Sequence, residues 1–204
     1  MRKNCCIWVK HALAFALCCS SITFTQLEAL PSSEVYFSPE DHLAEKLIAL
    51  IDKEPKSICA AVYCLMSGEI SQALQRAKKR GVFVEVIVDP FSVKQRSPIG
   101  KLNEKGIVIH VWDPKVEEIP ASKYAKKPLM HDKFCVFGDH TVWTGSFNFT
   151  RQASCSNKEN VVVLHDPAIA ALYLAEFEKI KKQGCSAYRQ FLAMKEQKKG
   201  VAIR

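Results

Sequence analysis

Four polar side chains within MHDKFCVFGDHTVWTGSFNFT, residues 130–150, have the types and spacing needed to grip a phosphate. Alternate residues of a strand share a face. A strand over 130–137 therefore points His131, Lys133, Cys135 and Phe137 one way and Met130, Asp132, Phe134 and Val136 the other. On such a strand His131 and Lys133 stand about 7 Å apart. An imidazole at phosphorus and an ammonium at a non-bridging oxygen fit that separation. In the TGSFN that follows, Gly145 lets backbone approach a ligand closely. The Ser146 hydroxyl and the Asn148 amide have hydrogens to donate to the same oxygens. The set makes an anion cradle that contains a nucleophile. It implies no cofactor and no metal ion, and the chain has no CxxC pair of the kind that holds structural zinc.

These residues must be placed by a scaffold, and the pattern upstream describes one. Ser38-Pro39-Glu40-Asp41 reads as a helix start, with Ser38 as cap and Pro39 at the first helical position. Leu43, Leu47, Ile48 and Ile51 form the apolar stripe of that helix. SICAAVYCLM, residues 57–66, reads as a buried strand. Residues 70–80 read as a helix stopped by Gly81. VFVEVIVDP is a second strand, residues 99–105 a short helix ending at Gly106, and IVIHVWD a third strand. Strand–helix–strand–helix–strand predicts parallel pairing with helices on the sheet faces. Residues 113–129 form a loop carrying Lys123, Lys126 and Lys127, and it leads straight into His131. Two strands joined by Gly138-Asp139-His140 follow, then a strand over 159–165 and a helix capped by Asp166-Pro167. The last stretch, 187–204, is a basic amphipathic tail with Lys195, Lys198 and Lys199 on a solvated face. The expected fold class is α/β, a mixed and largely parallel sheet with helices on both faces.

The chain has 204 residues, of which 48% are hydrophobic, enough for a full core and unlike a disordered chain. Its formal net charge is +8, and setting aside Arg2, Lys3, Lys10 and Glu28 leaves about +6. An excess of this sign favours polyanions such as nucleic acid or acidic lipid headgroups. The first 29 residues run from basic through apolar to small, the layout of a secretory signal peptide or, if uncleaved, of an N-terminal anchor. Residues 30–204 are then one catalytic domain of a secreted or periplasmic protein, membrane-anchored if the leader stays. Five cysteines lie beyond the leader, an odd number. Cys155 with Cys185 is a conceivable disulfide in an exported protein, with buried reduced thiols as the alternative.

MHDKF…TGSFNFT resembles the HxK…GSxN signature of the phospholipase D superfamily. The fit is to its short single-motif branch, the bacterial endonucleases and mitochondrial-type phospholipase D proteins. YFSPED, AAVYCLMSGEISQALQRAKKRGVFVEVIVDP and NKENVVVLHDP resemble segments of that branch as well. The resemblance implies two-step phosphodiester cleavage without metal. One histidine attacks phosphorus to form a phosphohistidine, and a second protonates the leaving oxygen and then activates water. It makes His131 and Lys133 the motif pair, Ser146 and Asn148 the GSxN pair, and Glu159 the downstream acid that orients His131. With one motif per chain, it implies a homodimer in which two motifs meet at a two-fold axis. His110, His140 and His165 are the alternative partners within one chain.

The sequence departs from the motif at its acid. The family acid lies five residues after the lysine, where this chain has Gly138, and Asp139 comes one later. Asp139 thus reads as a turn residue rather than a catalyst. Lys126 and Lys127 are candidate substrate contacts. The expected partner is nucleic acid, DNA or RNA. The rivals are a phospholipid-hydrolysing enzyme and a weakly catalytic nucleic-acid- or lipid-binding protein.

Overall fold

The computed structural model describes residues 32–114 and 128–201. The leader, residues 1–29, and Lys123, Lys126 and Lys127 lie outside the described residues, as do the side chains of Lys198 and Lys199.

The strands are β1 (Ser32–Phe37), β2 (Ser57–Val62), β3 (Phe83–Val88), β4 (Val108–Trp112), β5 (Lys133–Phe137), β6 (Thr141–Gly145), β7 (Asn160–His165) and β8 (Cys185–Ala187). They form one sheet in the order β1-β7-β6-β5-β2-β3-β4-β8. The helices are α1 (Leu43–Lys53), α2 (Gly68–Lys79), α3 (Ile99–Glu104), α4 (Arg151–Cys155), α5 (Pro167–Gly184) and α6 (Tyr188–Val201). None of the described helices is long and apolar enough to cross a membrane.

The α/β class and the mixed sheet with helices on both faces agree with the sequence reading. The expectation of a largely parallel sheet needs correction. Only β2–β3 and β3–β4 are parallel, and the other described pairings are antiparallel. The parallel part is limited to where helical crossovers join β2, β3 and β4; β5 and β6 are joined by a tight turn, and residues 146–159, which carry the short α4, return the chain antiparallel from β6 to β7.

Side-chain alternation divides the core in two. Cys135 and Phe137 join the buried cluster on the face covered by α1, α2, α3 and α6. Met130, Phe134 and Val136 join the cluster on the other face, under Ala170, Phe177 and Ile180 of α5. β2 is buried nearly throughout because helices cover it on both sides.

Several local readings change. Ser38 does not cap α1. It is fully buried, donates to the Asn157 carbonyl at 2.8 Å and accepts from the Glu159 amide at 3.1 Å. α1 begins later, at Leu43, after His42 in the left-handed region. Ser67 caps α2, accepting from the Ile70 amide at 3.3 Å. The predicted stops hold, with φ of 92° at Gly81 and 81° at Gly106. β1 and β8 were not anticipated. β1 is an exposed edge strand and β8 has three residues, so neither carries a buried hydrophobic pattern. α6 is more than a solvated tail, since Phe191 is buried in the core with Tyr188 and Leu192 against it. Cys155 and Cys185 are both free thiols, as are Cys59, Cys64 and Cys135.

The hairpin turn accounts for the displaced motif acid. Gly138 has φ 58°, and its amide donates to the Ser57 carbonyl at 2.8 Å. The buried Glu54 carboxylate accepts from the Lys56 and Ser57 amides at 2.7 and 3.1 Å. A Cβ on Gly138 would lie 3.4 Å from both Glu54 oxygens. An acid at 138 would thus meet another acid already satisfied there, in a backbone conformation that disfavours side chains. Restoring the acid with Gly138→Asp should cost roughly 1–3 kcal/mol of stability in chemical denaturation. A variant as stable as the wild type would contradict this account of the turn.

Candidate active site

β5, β6 and β7 bring their site residues to the sheet end where β2 and β3 finish, since Lys133 pairs with Val62 and Gly145 with Val161. His131, Lys133, Ser146, Asn148 and Glu159 all line one open cleft there, of about 500 Å³, together with Asp132, Thr144 and Tyr173. The set gathered from distant sequence positions is therefore assembled within one chain.

His131 lies just before β5 rather than on it. Pairing with β2 stops at Val62, and past it one more bond joins the Tyr63 amide to the Asp132 carbonyl at 2.9 Å. The Met130 amide turns away and donates to Asp89 Oδ2 at 3.2 Å. His131 is exposed, and its ring centroid lies 4.7 Å from that of Tyr63. Lys133 Nζ donates to the His131 carbonyl at 2.5 Å, so the two motif residues sit together as their spacing predicts. Burial pulls the Lys133 ammonium below the usual lysine range, against the opposing pull of Asp132 and Glu159.

Ser146 and Glu159, both in the cleft, also bond each other. Ser146 Oγ donates to Glu159 Oε2 at 2.5 Å and accepts from the Asn160 amide at 3.0 Å. Asn157 Nδ2 donates to Glu159 Oε1 at 2.9 Å. The serine hydrogen is thus spent on the carboxylate rather than aimed at a phosphate. The carboxylate is fixed from two sides by these neighbours rather than by a bond to His131. The reason is register: Ser146 and Asn160 face each other across β6–β7, which puts Glu159 within reach of the serine. A carboxylate clamped at the cleft wall is a fixed negative charge facing the space that His131 and Lys133 also line.

Asn148 is set between two fully buried rings, Phe147 and Phe149. The Phe149 backbone donates to the Cys64 carbonyl at 2.9 Å and accepts from the Met66 and Ser67 amides at 2.9 and 2.8 Å. These contacts fix the loop after β6 on the loop after β2. Asn148 Oδ1 is buried without a hydrogen-bond partner among the described residues, and the amide faces the cleft.

Asp139 is absent from this assembly. It sits in the turn at the opposite end of β5, about 20 Å from Lys133 at the rise of a strand. There it is exposed and pairs with Lys56 at 3.7 Å and His140 at 3.4 Å. The nearby Lys56 ammonium lowers its carboxyl below the ordinary range. The three histidines offered as alternative partners within one chain lie elsewhere. His110 bonds Glu85 at 2.6 Å, His140 lies in that distant turn, and His165 bonds Thr141 and Glu34 at 3.0 Å each.

Sequence reasoning missed Asp89. This buried acid follows β3 and accepts from both the Phe91 amide, at 2.8 Å, and the Met130 amide. One carboxylate thereby ties the end of β3 to the segment that delivers His131. The signal was present as an acid directly before Pro90, but the pattern reads equally as a loop start.

Comparison with known proteins gives a consistent picture. A family model described as "Cardiolipin synthase, PLD-like domain" matches residues 47–181. A phospholipase D of Rickettsia prowazekii is 29% identical over 167 residues, covering 80% of this chain and 76% of that one. The human mitochondrial cardiolipin hydrolase is 32% identical over 146 residues, covering 71% of this chain and 52% of its own length. The crystal structure of Nuc from Salmonella typhimurium, a phospholipase D family member, shares 32% identity. It superposes with a TM-score of 0.66 over 78% of this chain and 98% of Nuc. NucT from Helicobacter pylori, at 21% identity and TM-score 0.71, is a likeness of fold.

Two outcomes follow from the geometry. Lys133 must be charged to hold an anion, and its lowered pKa means the charge is lost earlier as pH rises. The alkaline limb of the kcat/KM profile should fall below the ordinary lysine range and move upward in Lys133→Arg; an unmoved limb would assign it to another group. Asp89→Ala should lower kcat roughly 10- to 100-fold, because a catalytic group displaced by an ångström loses that much. Wild-type kcat in a folded Asp89→Ala protein would remove its positioning role.

Proposed function

The chain belongs to the phospholipase D superfamily and is a phosphodiesterase, and from that premise we propose that it cleaves nucleic-acid phosphodiester bonds through a phosphohistidine at a site shared by two copies of the chain. The observation that carries the reading is the cleft itself, where one exposed imidazole, one ammonium, one amide and one clamped carboxylate face the same space.

The step sequence balances with these groups. A nitrogen of His131 attacks phosphorus, and the bond to the leaving oxygen breaks. That oxygen takes a proton from His131 of a second copy, whose imidazole then takes a proton from water. The water oxygen attacks phosphorus, the P–N bond breaks and His131 is restored. Lys133 and Asn148 hold the non-bridging oxygens, where negative charge concentrates. The carboxylate of Glu159 favours the cationic form of the imidazole. Two imidazoles are needed, and His110, His140 and His165 are engaged outside the cleft, which supports supply of the second from a partner copy. The net charge of +8 supports a polyanionic substrate. Cleavage in this reading needs no metal ion. The leader-type segment, residues 1–29, would place the activity outside the cytoplasm, secreted or periplasmic, or on a membrane surface if it is retained.

A second reading is hydrolysis of a phospholipid headgroup. It is favoured by Leu129, an apolar side chain 57% exposed two residues before His131.

Mixing wild type with His131→Ala tests the shared site. One active site per dimer requires both imidazoles, so nuclease activity should fall as the square of the wild-type fraction and persist in chelator. A linear fall, or full activity in a species that sediments as a monomer, would contradict the shared site. Headgroup release from cardiolipin vesicles without cleavage of DNA or RNA would favour the second reading.

A further inference from the structure

Beside the cleft, against His131, lies an aromatic feature that the cleavage chemistry does not use. Tyr63, just after β2, lies against His131, with ring centroids 4.7 Å apart. Phe91, in the short 3-10 helix Pro90–Ser92 after β3, stacks on Tyr63 with centroids 5.3 Å apart and planes within 11° of parallel. An ammonium stands at each end of this pair. Lys133 Nζ is 5.4 Å from the Tyr63 ring centroid and Lys94 Nζ is 3.4 Å from that of Phe91. The order of groups outward from the reacting centre is imidazole, phenol ring, phenyl ring, ammonium.

Phe91 is not needed to fill the core. It belongs to neither core cluster and is 45% exposed. Yet its backbone is fixed, because its amide donates to the buried Asp89 that also holds the segment before His131. A half-exposed flat ring on a fixed backbone, in register with the reacting centre, is a preorganised surface for another flat ring.

We propose that Phe91, backed by Tyr63, is a stacking subsite for an unpaired nucleobase flanking the phosphate held at His131, so that the substrate is single-stranded nucleic acid. This rests on the nucleic-acid reading above and sharpens it. A single strand alternates planar bases with phosphates, and the protein offers a stacked ring pair with an ammonium at each end. In a duplex both faces of a base are covered by its neighbours, so only an unstacked base can reach the ring. Lys94 has an exposed and flexible side chain; it yields the Phe91 face to the base and takes the next phosphate. An acyl chain would be matched instead by a continuous aliphatic groove, and a cation over the ring disfavours it.

The test compares two single-stranded oligonucleotides of one length, one carrying bases throughout and one abasic on both sides of the scissile phosphate. Base–aromatic stacking predicts that wild type prefers the base-bearing strand roughly 5- to 100-fold in kcat/KM. The preference should collapse towards one in Phe91→Ala and persist in Phe91→Trp. Phe91 is outside the core, so the fold is expected to survive both changes, and Tyr63 is left intact because it touches His131. An equal preference in wild type and Phe91→Ala, with cleavage still present, would overturn the subsite alone. Failure of the wild type to cleave either strand, together with headgroup release from cardiolipin vesicles, would overturn the nucleic-acid reading and the subsite with it.

Discussion

Gly145 lies so close to β7 that a Cβ on it would stand 2.1 Å from the Asn160 carbonyl oxygen and 2.9 Å from Val161 Cα. No side chain fits in that gap, and the rest of the site depends on it. With β6 pressed against β7, the Ser146 amide donates to the Asn160 carbonyl at 3.0 Å, and the Asn160 amide donates back to Ser146 Oγ at 3.0 Å. The serine hydrogen is then directed to Glu159, and Asn157 closes the other side of the carboxylate. Ser38 completes the arrangement from below, bonding the backbone of both Asn157 and Glu159. A glycine that looks like a mere spacer in TGSFN thus decides where the negative wall of the cleft stands.

The opposite wall is built by the parallel half of the sheet. Asp89 at the end of β3 fixes Met130, and the Tyr63 amide after β2 fixes Asp132, so His131 is held on both sides by strands far from it in sequence. Antiparallel strands supply the acid and the amide, and parallel strands set the position of the imidazole. The site sits where the two halves of the sheet meet, β5 beside β2. That junction exposes backbone ends of both halves, and open α/β sheets offer ligand crevices at such places.

Much of this was legible in the sequence because it is periodic or local. The alternation of 130–137 predicted which residues of β5 enter which core, and Cys135, Phe137, Phe134 and Val136 fall as it requires. Gly81, Gly106 and the Asp166-Pro167 pair marked element ends through backbone preferences that need no tertiary contact. The gathering of His131, Lys133, Ser146, Asn148 and Glu159 in one cleft followed from motif spacing and resemblance. What could not be read depends on partners distant in the chain. Ser38 has the residue type and setting of a helix cap, and only the approach of the 157–159 loop gives it a different use. Ser146 and Glu159 read from sequence as partners of phosphate and imidazole; only register across β6–β7 reveals that they also bond each other. The displaced acid could be read as a turn residue, but the Glu54 carboxylate that occupies the space beside Gly138 lies 84 residues upstream.

The central claim is that His131 carries the phosphoryl group between cleavage and water attack. Rapid-quench of the purified protein with a 32P-labelled single-stranded oligonucleotide, followed by peptide mapping under alkaline conditions that preserve phosphoramidates, tests it most directly. The account predicts one acid-labile, alkali-stable label, on the peptide containing His131, formed and lost at rates compatible with turnover. Efficient turnover with no labelled peptide, or label confined to another residue, would contradict it.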